Sequence, residues 1–106
     1  MTTSKGPAYD FGFGVTDGRG RAIGARVELF TAYKPSADGT TSIPLWCFRP
    51  WAMRGGEVFG AVQRTREFAN VVERDEAVKR YLDGARKRAE KLARAKYGDA
   101  APAGRV

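Results

Sequence analysis

Two sets of cationic side chains are spaced to share a surface, and contact with phosphate is the chemistry they could perform. Arg26, Arg64 and Arg66, joined by Lys34 and Arg49, fall on segments that alternate like β-strands, whereas Arg80, Lys87, Lys91 and Arg94 recur at helical spacing. Guanidinium groups pair well with phosphate oxygens, and arginines on strands can also reach base edges in a groove. The segment Arg49-Pro50-Trp51-Ala52-Met53-Arg54 sets an aromatic ring and a thioether between two arginines beside a Gly-Gly turn. Trp, Met and Arg are enriched where proteins touch partners.

Both sets also admit a plainer reading. Glu76 with Arg80, Asp83 with Lys87 and Glu90 with Arg94 stand at i and i+4, the arrangement of a solvated, self-neutralised helix face. Phe30, Trp46, Phe48, Trp51 and Phe59 are large residues of the kind a small core requires.

Catalytic chemistry is hard to assemble. The chain has no histidine, and Cys47, its one cysteine, lies between Trp46 and Phe48, an apolar setting that raises a thiol pKa and suppresses reactivity. No disulfide within the chain and no Cys/His zinc set can form. Glu73, Asp75 and Glu76 cluster where a helix N-terminus is expected, and the helix dipole accounts for them. Phe11-Gly12-Phe13-Gly14 and Gly18-Arg19-Gly20 complete neither a dinucleotide fingerprint nor a phosphate loop. No enzyme activity, cofactor or catalytic residue is expected.

Composition sets the partner class. Lys and Arg number 19 against 12 Asp and Glu, a formal charge of +7 on 106 residues, which favours anionic partners without choosing among them. A length of 106 residues suits one domain with one modest core. No apolar run approaches a membrane span, and the first residues carry no apolar leader segment, so a cytoplasmic protein is expected.

The elements that must position these residues follow from periodicity. Phe11, Phe13 and Val15 alternate with glycine, Asp17-Gly18-Arg19-Gly20 supplies a turn, and alternation resumes from Ile23 through Leu29, which predicts a hairpin whose second strand spans about 21–33. Leu45–Met53 is expected as an edge strand because Pro50 interrupts it, and Arg54-Gly55-Gly56 leads into a fourth strand over 57–68. Asp75 is the expected N-cap of a helix running to Tyr97, with Gly98 as its C-cap. Val78, Tyr81, Leu82, Ala85, Ala89, Leu92 and Ala93 form its apolar stripe.

These readings predict an α+β fold: about four antiparallel strands in two hairpins, packed on one face by a long C-terminal helix. One domain over 8–98 is expected, with flexible tails at 1–7 and 99–106. Strands followed by one helix, with Arg64 and Arg66 on the last strand, are similar in outline to the sheet-plus-helix DNA-binding domains of plant regulators and phage integrases. The similarity is topological, the strand Leu45–Met53 departs from it, and it carries over no binding residues. A double-stranded-RNA-binding domain is also comparable, but it requires a helix before its first strand that Met1–Tyr9 cannot supply.

The expected function is nucleic-acid binding, to DNA or RNA, through an exposed sheet face and the hairpin tips. The residues expected to carry it are Arg26, Arg49, Trp51, Arg54, Arg64, Arg66, Lys87 and Lys91, with Trp51 stacking on a base. The alternative is a protein-interaction role, as a phage or bacterial accessory protein that docks on an acidic partner or forms a homodimer.

Overall fold

A long hairpin organises the molecule. Alternation continues further than the turn chemistry suggests, so β3 (Ala22–Pro35) and β4 (Ser42–Arg54) pair antiparallel along their whole length, from Ile23 opposite Arg54 to Pro35 opposite Ser42. The computed structural model describes residues 2–4, 6–61 and 63–97. Within them, β1 (Thr2–Ser4) and β2 (Ala8–Thr16) both pair with β3, while β5 (Glu57–Phe59) and β6 (Arg66–Phe68) both pair with β4. Helix α1 (Val71–Tyr97) packs on one face of this antiparallel sheet, giving an α+β fold.

Each turn has a local cause. Between β2 and β3, the Asp17 carboxylate accepts the backbone N–H groups of Arg19 and Arg21, and Gly20 takes a φ of 79°. Between β4 and β5, Gly55 and Gly56 take φ values of 61° and 84°, the left-handed pair that a two-residue hairpin connection needs. Gly24 serves a different purpose, because a Cβ there would run into the carbonyl of Phe11, and its bare backbone lets β2 lie against β3.

Four expectations are corrected. Residues 2–4, expected in a flexible tail, form β1 in register with Thr31–Tyr33, and the Leu29 N–H donates to the Pro7 carbonyl just beyond it. Strand β4 is interior, because β6 covers 46–48 and β5 covers 52–54. Pro50 falls in the gap between those two stretches, where its missing N–H leaves no partner unsatisfied, and it is among the most buried side chains. The fourth strand is broken for the same reason: Gly60, at φ 83°, turns the chain out of β5, and residues 60, 61 and 63–65 belong to no strand. Finally, the helix begins one turn before Asp75. Asn70 caps it, its side-chain oxygen accepting the Glu73 N–H at 2.9 Å, and Asp75 lies inside the helix. The expected C-cap at Gly98 and the tail 99–106 lie outside the described residues.

The core forms between the sheet and the helix. Ala25, Val27 and Phe48 from the sheet meet Ala77 and Tyr81 from α1, with Phe13, Leu29, Phe68, Val78, Leu82 and Ala85 partly buried around them. Phe48 stacks on Phe68 with centroids 5.9 Å apart and meets Tyr81 at 6.2 Å. On the opposite sheet face Phe30, Ala32 and Cys47 form a second, smaller cluster with Leu45. Cys47 is fully buried there, and desolvation with the nearby Glu67 carboxylate pushes its thiol pKa up. No helix among the described residues is long and apolar enough to cross a membrane.

Candidate polyanion interface

Strand alternation sends Arg26, Glu28 and Phe30 of β3 to the face away from the helix, opposite Trp51, Arg49 and Cys47 of β4. This is the face on which an exposed cationic surface was expected, and its cations are engaged. Arg26 holds Asp10 of β2 through two hydrogen bonds, Nε to Oδ1 at 2.7 Å and Nη2 to Oδ2 at 3.1 Å. That pairing lowers the Asp10 carboxyl pKa and raises that of Arg26. Arg49 has Glu28 beside it at 3.7 Å, and its guanidinium lies over the rings of Phe30 at 5.2 Å and Trp51 at 5.7 Å. The half-buried Trp51 therefore presents a face already occupied by a cation instead of an open stacking platform.

Arg54 is engaged as well. Its Nε stands 3.7 Å from Asp17, and its guanidinium sits 4.9 Å from the centroid of the Phe59 ring. Asp17 collects Arg21 too, Nε to Oδ2 at 2.9 Å. Desolvation pushes the Asp17 carboxyl up, but the Arg21 and Arg19 N–H groups and the Arg21 guanidinium outweigh it, so the pKa is lowered. This corner braces the first turn against the end of β4.

The cations without a carboxylate lie elsewhere. β6 places Arg66 at the sheet margin beside α1, where its guanidinium rests over Phe48 at 5.6 Å and Tyr81 at 5.9 Å. From the helix, Arg80 and Arg88 flank Tyr81, and these four residues with Gln63 line a cleft of about 510 Å³. A second cleft of about 230 Å³ continues from it towards Arg54, sharing Gln63, Tyr81 and Arg88. Among the described residues no carboxylate comes within 4.0 Å of Arg66, Arg80 or Arg88, in contrast to Arg21, Arg26, Arg49, Arg54 and Arg74.

Helical geometry extends the cleft. At about 100° per residue, Lys87 and Lys91 project on the same side as Arg80, and both are exposed. Among the described residues, the i,i+4 pairs that would have neutralised this side, Glu76 with Arg80, Asp83 with Lys87 and Glu90 with Arg94, do not close within 4.0 Å. Asp83 and Glu90 point roughly 140° and 160° away from Arg88 around the axis, though only about 40° and 60° from Lys87, so the acids border the lysine side and leave Arg88 clear. Arg64 is exposed on the loop before β6, not on a strand.

The expected residues thus fall into two groups. Arg66, Lys87 and Lys91 share the helix–β6 side, with Arg64 on the adjoining loop, while Arg26, Arg49 and Trp51 lie on the opposite face and Arg54 braces a turn. Sequence reasoning passed over Arg88 and Gln63. Arg88 lies only about 20° from Tyr81 on the wheel, at the border of the apolar stripe, and the available signal was Gly84 one turn before it. Comparison with protein-family models, curated proteins and solved structures returned no match.

Proposed function

We propose that this protein is a non-enzymatic nucleic-acid-binding module whose contact surface is the side of α1 that faces β6. Arg66, Arg80 and Arg88 take phosphate oxygens in the cleft, and Lys87 and Lys91 extend the contact along the helix. One observation carries this reading: three guanidiniums converge on a single cleft with no carboxylate of the described residues within ion-pair distance. Holding like charges together is unfavourable unless an anion relieves them, and a phosphate chain does so with paired, directional hydrogen bonds. A cytoplasmic setting goes with this role.

A salt titration tests it. Each neutralised phosphate contributes about −0.9 to the slope of log K against log salt, so three to five contacts give roughly −3 to −4.5. Replacing Arg66, Arg80 and Arg88 together by Ala removes most of that slope. A salt-insensitive interaction, or a triple variant that binds as well as the parent, overturns the proposal and favours docking on a protein partner instead.

A further inference from the structure

The aromatic rings around the cleft identify the form of nucleic acid it accepts. Proteins that hold single strands combine a basic groove with open aromatic faces on which successive bases stack, each stacked base contributing about 1–3 kcal/mol. Here the rings near the basic groove are withdrawn. Phe48 and Tyr81 are buried in the core, and what remains of their faces lies under Arg66. Phe59 is exposed, but Arg21 at 5.3 Å and Arg54 at 4.9 Å both lie over its ring. Phe13 has Arg86 over it at 6.0 Å. The two tryptophans are used alike, Trp46 on the helix side under Arg74 and Trp51 across the sheet under Arg49. A base would have to displace a guanidinium to reach the covered face of any of these rings, exchanging one π contact for another. The exposed Tyr9 and Phe11, over which no cation lies among the described residues, stand on β2 at the opposite margin of the sheet from β6, and exposed Tyr33 stands near the β3–β4 turn.

The cations themselves are held on a straight, rigid element. Arg80, Lys87, Arg88 and Lys91 fall within 12 residues of one helix, Arg80 and Lys91 about 17 Å apart along the axis at a rise of 1.5 Å per residue. A line of charges fixed at that length matches a stiff phosphate array. Duplex carries one charge per about 1.7 Å of axis and stays straight over far longer distances, whereas a flexible single strand must be ordered to follow the helix.

We infer that the partner is a double-stranded nucleic acid gripped through its phosphates, with no base stacking and no base-edge readout. The inference rests on the nucleic-acid reading above and narrows it. The test compares a mixed-sequence DNA duplex of about 20 base pairs, a shuffled duplex, the matching RNA duplex and an oligothymidine of equal length at one low salt concentration. Expected are duplex affinities at least about tenfold above the single strand, the two DNA sequences within about twofold of each other, and little change in tryptophan fluorescence on binding. The RNA arm tells whether the helix tracks B-form or A-form phosphates.

Arg80→Ala with Arg88→Ala lowers duplex affinity, and Trp51→Phe leaves it unchanged. Tight single-strand binding with quenched tryptophan fluorescence overturns the duplex inference and leaves the nucleic-acid reading standing. A clear preference between the two DNA sequences overturns the phosphate-only contact. Failure to bind any of the four removes both.

Discussion

A methyl group on Gly84 would stand 3.2 Å from Nη1 of Arg88, because the arginine one turn on folds its guanidinium back across the bare helix surface. Mid-helix glycine is unfavourable by about 1 kcal/mol relative to alanine. The residue is therefore a poor choice for the helix and a good one for seating Arg88 beside the cleft.

Gly84→Ala should separate stability from binding. Thermal unfolding is expected to shift upward by a few degrees, since about 1 kcal/mol moves the midpoint by roughly 4–8 °C in a domain of this size. Duplex affinity, measured by titration, is expected to fall as the guanidinium is pushed from its place. A variant that gains stability and binds as well as the parent would show that Arg88 is indifferent to the space at residue 84.

Single alanine substitutions distinguish the two faces of the sheet. Arg26→Ala removes a cation already held by Asp10 at 2.7 Å, so duplex affinity and salt slope should stay within about twofold of the parent. Arg80→Ala and Arg88→Ala each remove an uncompensated cation, and each should flatten the salt slope by roughly 0.9. Equal losses at Arg26 and Arg88 would return the binding surface to the open sheet face.

The fold was largely legible because alternation and helical spacing are local properties. Phe11-Gly12-Phe13 and Ile23 through Leu29 declare their strands residue by residue, and Val78 through Ala89 declare the buried side of the helix, although the stripe missed the buried Ala77 and included Leu92, which is exposed. What stayed hidden depended on partners distant in the chain. Pro50 reads as an edge residue, and only the separate arrival of β5 and β6 shows that it occupies a gap between two pairings. Likewise Arg26 counts as a free cation until the β2–β3 register sets Asp10 opposite it. Charge content is visible in a sequence, but its cancellation is decided by register.

Phe48 links the core to the candidate site. It is fully buried, stacked on Phe68, tilted against Tyr81 and covered by Arg66. Phe48→Ala should destabilise the protein by about 3–5 kcal/mol in urea unfolding, the range for emptying a well-packed aromatic site. Phe48→Leu should retain much of that stability yet remove the ring on which Arg66 rests. A loss below about 1 kcal/mol for the alanine variant would mean that the sheet–helix interface is not close-packed at this point.

The turn joining β3 and β4 yields a pH dependence whose sign is fixed. The Asp38 carboxylate accepts hydrogen bonds from Ser36 Oγ at 2.6 Å, Thr40 Oγ1 at 2.8 Å and the Thr40 backbone N–H at 3.1 Å. These donors, the Ser36 hydroxyl first, lower its pKa from 3.8 to about 2. A carboxyl held lower in the folded chain than in the unfolded one stabilises the fold fully above 3.8, and that contribution disappears as pH falls through about 2. The thermal midpoint of the parent should therefore exceed that of Asp38→Ala at neutral pH, with the gap constant down to about pH 4 and then closing. Taking the difference at each pH cancels the parallel titrations of Asp10 and Asp17, whose carboxyls are lowered by their own donors in both proteins. A gap that persists unchanged to the lowest pH at which the protein remains folded would assign the effect of the substitution to turn geometry, with no part for the charge on Asp38.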